Sequence, residues 1–191
     1  AAGETRRAEG FLVETDTLPA ERSGLSSWSA RLRLEGSPAT SDGWRASARA
    51  TIELPYRLGV EIGADRLMPP AGGGHGQPPA WLADAALQCR FAQAPWCEFR
   101  AGAGIRQLRD GVPHHGPSFS YECDIYPARP FMLSARWDWA WIPGAERRRI
   151  IGLSATAGMV WDRCEIYGGW RRQTIEDARM DGAVAGICCW F

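Results

Sequence analysis

Residues 131–141 read Phe131-Met132-Leu133-Ser134-Ala135-Arg136-Trp137-Asp138-Trp139-Ala140-Trp141. Phe131, Leu133, Ala135, Trp137, Trp139 and Trp141 alternate with Ser134, Arg136 and Asp138. A period of two sends the first set to one face of a β-strand and the second to the other. One face is apolar and tryptophan-rich, and the other carries charges of both signs.

The same alternation runs outward in both directions. Upstream it reads through 28–35, 44–54, 56–66, 81–91, 96–107 and 118–126. Downstream it reads through 150–161 and 164–172, and ends on Ala183, Ala185, Ile187, Cys189 and Phe191. The pattern predicts about ten strands, with eight as the alternative count, most of them about 9–12 residues long. A tilted strand needs about 9–11 residues to cross a bilayer, whereas strands in soluble proteins average about 5–6. Residues 1–26 lack the alternation and read as a loose, partly disordered N-terminal periplasmic leader. The repeating pattern defines a domain over 27–191. No apolar run is long enough for a membrane-crossing helix.

Formal net charge is zero, which gives no support for a nucleic-acid partner. Every basic residue is Arg, whose planar fork suits buried carboxylate pairs better than Lys. The apolar fraction, 45%, is ordinary, but 10 tryptophans are not and need a physical reason.

Alternation does not say which face is inside; three patterns do. The polar face carries Arg31, Arg33, Arg45, Arg49, Arg57, Arg90, Arg100, Arg106, Arg136 and Arg171. Against them stand Glu35, Glu53, Glu61, Asp65, Asp84, Glu98, Glu122, Asp124, Asp138 and Glu165. Opposite charges in near balance can pack a narrow interior as an ion-pair network, since buried charges must be paired. Aromatics fall at strand ends on the apolar face: Trp28, Tyr56, Phe91, Phe131, Trp161 and Phe191 at one end. Trp44, Trp81, Phe119, Trp139, Trp141 and Trp170 fall at the other. Two such girdles match two bilayer interfaces. The links alternate in predicted length: short at Pro55, 93–95, 127–130 and 162–163, longer at 36–43, 67–80, 108–117, 142–149 and 173–182.

The closing stretch Gly186-Ile187-Cys188-Cys189-Trp190-Phe191 resembles the C-terminal signal of bacterial outer-membrane proteins, alternating apolar residues that end in Phe. The resemblance, to the Gram-negative outer-membrane β-barrel superfamily, covers about 27–191. It implies an all-β, antiparallel, up-and-down transmembrane barrel in the outer membrane, of omptin size or smaller, in contact with lipid bilayer and lipopolysaccharide. It also implies that Gly186, Ile187, Cys189 and Phe191 are read by the barrel-assembly machinery.

Function is less legible. The leading expectation is a non-enzymatic structural or interaction component, a subunit of a larger membrane assembly. Its partner face is Ala46, Ala48, Ala50, Ala101 and Ala103, because small residues allow close approach between membrane segments; a second copy of the chain is the other candidate occupant. One alternative is an outer-membrane hydrolase using the 110–118 loop, where Asp110, His114, His115 and Ser118 lie together in sequence. The other is a narrow pore. The spacing of His75, His114 and His115 defines no metal site, the glycines of 68–79 lack the Lys of a phosphate loop, and no cofactor is expected. Of six Cys, Cys164 with Cys189 or Cys97 with Cys123 are candidate bridges, free thiols being the alternative.

Overall fold

A computed structural model describes residues 28–39, 43–54, 56–68, 80–109, 111–143, 148–176 and 178–191. The strands are β1 (Ser29–Ala39), β2 (Gly43–Glu53), β3 (Leu58–Met68), β4 (Ala80–Ala94) and β5 (Cys97–Arg109). They continue as β6 (Pro113–Ile125), β7 (Phe131–Ile142), β8 (Arg148–Trp161), β9 (Cys164–Ile175) and β10 (Ala178–Trp190). Each pairs antiparallel with its neighbour in sequence, and β1 pairs with β10, so the sheet closes and has no edge. Closure satisfies every strand's backbone within the sheet, which hydrocarbon surroundings require. The last residue takes part: Phe191 and Ala30 exchange both backbone hydrogen bonds, at 2.8 and 3.2 Å.

The strands are longer than alternation indicated, and the predicted difference between short and long links shrinks. β1 and β2 are separated only by 40–42, β5 and β6 by 110–112, and β9 and β10 by 176–177. The extra strand residues include Gly, Ser, Pro, His and Arg, which carry no apolar marker although they still pair, and inward apolar residues such as Leu67, Leu108, Ile142 and Ile175 on the otherwise charged parity. Only 69–79 remains a long separation. The leader, Pro55, Asp110 and the 69–79 stretch with His75 lie outside the described residues.

One assignment is corrected here. Arg57 does not face the interior. Tyr56 and Arg57 have φ of 66° and 63°, left-handed backbone that breaks the strand, so β3 starts at Leu58 and Arg57 is exposed.

Cys164 and Cys189 face each other across β9 and β10 and form a disulfide, while Cys89, Cys97, Cys123 and Cys188 are free. Alkylation of denatured protein should therefore label four cysteines without reductant and all six with it. Equal labelling in both conditions would show that the bridge does not form.

Candidate functional site: a closed charged lumen

The side chains sort oppositely to those of a water-soluble barrel. Leu34, Ile52, Ile62, Leu87, Ile105, Met159 and Ile166 point outward and are exposed, Leu87 at 71%. Arg31, Arg100, Arg136, Glu61, Glu122, Asp124 and Asp138 point inward and are buried. Each large apolar side chain left in water forgoes roughly 1.5–3 kcal/mol of burial. In lipid that loss disappears.

The aromatics complete the pattern. Trp28, Tyr56, Phe91, Phe131, Trp161 and Phe191 ring the rim that holds the chain's β1 start and β10 end, all of them exposed. Trp44, Trp81 and Trp141 ring the far rim and are also exposed; Phe119 is exposed but lies mid-strand, because β6 starts at Pro113, and Trp139 and Trp170 are half-buried.

Inside, the charges meet in connected nodes. Arg136 on β7 donates from Nη2 to Glu61 (2.7 Å), from Nη1 to Glu122 (3.1 Å) and from Nε to Asp138 (2.9 Å). Glu61 also accepts from Gln88 (2.8 Å) and pairs with Arg49 (3.4 Å). Arg100 on β5 pairs with Asp124 (2.8 Å), Glu53 (3.3 Å) and Glu98. Arg90 joins Glu53 at 3.5 Å and Glu98 at 3.9 Å. Arg31 on β1 reaches Glu122 (3.0 Å) and Asp124 (3.3 Å) on β6. β1 and β6 stand diametrically opposite in the ring of ten, so these pairs cross the full lumen. Towards the far rim Arg171 bridges Glu35 (2.9 Å) and Asp65 (3.2 Å), and Arg106 lies 3.5 Å from both Asp84 and Asp138. Arg33 and Glu165 are looser, at 3.9 Å.

Inward glycines make room for the carboxylates. A Cβ on Gly152 would come within 2.8 Å of Asp138 Oδ2, and one on Gly63 within 2.9 Å of Asp84 Oδ1.

Arg45 departs from the expectation for it. It is inside and buried, but its only hydrogen bond runs from Nη1 to Gln173 Oε1 (3.0 Å), and it enters no ion pair among the described residues.

Above the charges, at the far rim, Leu82, Leu108, Ala140, Ile142 and Ile150 form a buried apolar layer, with Leu67 and Ile175 packed against it. These residues occupy the inward, otherwise charged, parity of six strands. Sequence reading passed over this layer. Its trace was there as consecutive apolar pairs at strand ends: Trp81-Leu82, Trp141-Ile142 and Ile150-Ile151.

Residues 113–118 of the predicted 110–118 loop are strand, not loop. Pro113–Ile125 is β6, and alternation turns His115 outward while His114 and Ser118 face in. Four residues of strand separate His114 from Ser118 by about 13 Å, far beyond hydrogen-bond reach. No group of three His, Cys, Asp or Glu fit to hold a metal occurs among the described residues.

The four C-terminal positions singled out above divide by face. Ile187, Cys189 and Phe191 point outward, with Ile187 and Phe191 exposed. Gly186 faces in, where a Cβ would strike the Tyr167 ring and the Leu34 carbonyl. Ala48 pairs with Ala64 on β3 and through it with Ala83 on β4, whereas Ala46 pairs with Arg66 and Ala50 with Ile62, the latter row ending on Ala85. Ala101 and Ala103 are not part of that surface. They sit between Cys89 and Leu87 on one side and Tyr121 and Phe119 on the other.

A closed antiparallel barrel with a lipid-compatible exterior, two aromatic rims and a paired, charged interior is a transmembrane β-barrel of the outer-membrane class. No helix among the described residues is long and apolar enough to cross a membrane.

Among solved structures the chain is similar to CdiB from Acinetobacter baumannii (10% identity, TM-score 0.45), covering 81% of this chain and 40% of that one. It is similar to the KdgM porin in complex with disordered oligogalacturonate (10%, TM-score 0.44), covering 85% and 99%. It is also similar to Neisserial surface protein A (13%, TM-score 0.39), covering 87% and 98%. No family model matches the chain, and no curated protein matches it.

Proposed function

We propose that this barrel is a non-enzymatic structural or interaction component of the outer membrane, a subunit that docks a membrane partner through the outer wall of β2–β4. The observation that carries this reading is the small-residue surface of Ala46, Ala48, Ala50, Ala64, Ala83 and Ala85 on three adjacent strands. Lipid contact alone would favour Leu or Val there. The alanine row Ala48–Ala64–Ala83, between the larger Ile62 and Arg66 of β3, instead lets a second backbone approach closely and gain dispersion contacts. Among the described residues the charged side chains fill the lumen and leave little room for a solute.

Lipopolysaccharide is the lipid partner this reading implies. Support comes from the far rim, where Arg66, Trp81 and Arg109 sit side by side on β3, β4 and β5. The Arg66 guanidinium lies 5.1 Å from the Trp81 ring centroid. Two cations flanking a headgroup-depth tryptophan suit a phosphorylated lipid. The barrel-assembly machinery would engage the last strand before β1 closes on it.

Site-directed photocrosslinking tests the docking face. A photoreactive maleimide on Ala64→Cys, in a background with its free cysteines replaced, should give one discrete adduct in native membranes. The same probe at Met159→Cys, on β8 across the ring from β3, should give only lipid. Ala64→Trp should then release the partner while the folded band on unheated gels persists. A strictly monomeric barrel with identical lipid-only labelling at both positions would refute the docking role.

A further inference from the structure

Two arginines on the outer wall share one carboxylate at the far rim. Asp181 on β10 stands directly opposite Arg172 on β9, and Arg179, two residues away on β10, lies on the same face opposite Thr174. Arg172 Nε donates to Asp181 Oδ1 (2.9 Å) and Arg179 Nε to Oδ2 (2.7 Å). Each guanidinium is held by its Nε, and the Nη groups of both have no hydrogen-bond partner among the described residues. Unlike the lumen arginines, these are open to a ligand, with side chains 39% and 55% exposed. Arg172 also lies 4.9 Å from the centroid of the Trp170 ring.

One carboxylate against two guanidiniums leaves an excess of positive charge. The nearby Glu176, just past the end of β9, is engaged by Arg148 at 2.9 Å. The depth of the group limits what can answer that charge. An arginine on the lipid face is costly at the bilayer midplane and nearly free at the interface, and Arg172 stands one outward position beyond the girdle residue Trp170. The anions met at that depth are headgroup phosphates, whose oxygens a pair of guanidinium Nη groups fits bidentately. The grouping repeats that of Arg66, Trp81 and Arg109, and it does so half a turn around the barrel, since β9 and β4 are diametrically opposite in the ring.

We propose that Arg172 and Arg179, backed by Trp170 and aligned by Asp181, form a second clamp for a phosphate group of lipopolysaccharide. The proposal rests on the lipopolysaccharide contact inferred above and adds a separate site to it, so that each barrel carries two such lipids on opposite sides. Asp181 is a positioning residue: it takes the Nε edges and leaves the Nη edges facing the headgroup layer.

Native mass spectrometry of the purified, folded barrel tests this, using bisphosphorylated lipid A, the membrane anchor of lipopolysaccharide, added in detergent to delipidated protein. The wild-type barrel should retain two lipids. Arg172→Gln with Arg179→Gln should retain one, with occupancy of the other lowered about tenfold, as loss of charge-assisted bonds predicts. Arg66→Gln with Arg109→Gln should remove the other lipid. Arg172→Lys with Arg179→Lys keeps the charge without the planar fork and should bind at an intermediate level. Dephosphorylated lipid A should not fill the clamp. The folded band on unheated gels checks each variant; if the double glutamine variant fails to fold, Arg179→Gln alone, at the more exposed position, replaces it. Loss of lipid in Arg66→Gln with Arg109→Gln but not in Arg172→Gln with Arg179→Gln would strike this clamp and leave the first contact standing. Loss in neither would strike both. Undiminished binding of dephosphorylated lipid A, or full retention by the double lysine variant, would also overturn the clamp.

Discussion

Arg136→Met should be among the most damaging single substitutions in the barrel, lowering its unfolding free energy by about 3–5 kcal/mol. The arginine holds three carboxylates from three other positions, Glu61, Glu122 and Asp138, each within 3.1 Å. Its removal leaves Glu61 with Arg49 at 3.4 Å and Gln88 at 2.8 Å, leaves Glu122 with Arg31 at 3.0 Å and Arg100 at 3.6 Å, and leaves Asp138 with Arg106 at 3.5 Å. The loss is therefore mainly that of stranded buried charge rather than of one attractive pair. Two consequences separate this from a simple packing defect. Glu61→Gln alone should cost less than Arg136→Met, because one carboxylate of three is neutralised and the cation stays paired. The double variant should cost less than the sum of the singles, since each removes part of the other's penalty. Urea unfolding from lipid vesicles, followed by tryptophan fluorescence, measures all three. A loss below about 1 kcal/mol for Arg136→Met would mean that the lumen is hydrated enough to solvate the freed carboxylates.

The second large effect concerns conductance. The wild-type barrel should be electrically quiet in a planar bilayer, with no stable, large single-channel steps. Two barriers stand in series along the lumen. Pairs such as Arg31 to Glu122 span it from wall to wall, and the apolar layer of Leu82, Leu108, Ala140, Ile142 and Ile150 closes the far rim. An ion crossing this layer would have to shed its water against aliphatic side chains. Polar truncation of the layer alone, as in Leu108→Ser with Ile142→Ser, should leave the barrel quiet, because the ion-pair barrier remains. Combining it with Arg31→Ser should produce discrete openings. Stable large openings in the wild-type protein would overturn the filled lumen and restore the pore reading.

Much of this barrel was legible before its structure. Strand existence, the inward or outward parity of nearly every charged residue, and the two aromatic rims follow from a period of two, because a pleated strand has only two faces. Errors gathered where the period stops carrying information. Arg57 was assigned to the interior because parity was extended through a hairpin turn, where left-handed backbone ends the strand. His114, His115 and Ser118 look like one loop constellation in the linear chain, but pairing of β6 with β5 extends the strand through them and sends His115 to the opposite face. The far-rim strand ends were missed because pairing continues there on Gly, Ser, Pro and His without an apolar mark, or on inward apolar residues such as Leu67, Leu108 and Ile142 that stand on the otherwise charged parity.

What the sequence alone determined, then, is local: which residues are strand, and which of two faces each side chain takes. The tertiary structure decided which face-mates meet. Arg31 and Glu122 are 91 residues apart and Arg136 and Glu61 are 75 apart, separations that no periodicity encodes. They come within hydrogen-bond distance because the sheet closes, and closure sets curvature, tilt and stagger together. The same closure leaves Arg45 opposite a glutamine rather than a carboxylate, and gathers seven scattered apolar residues into one layer across the far rim. Which charges are paired and which is left over is a property of the ring, since only the ring brings strands from opposite sides of the chain across one lumen.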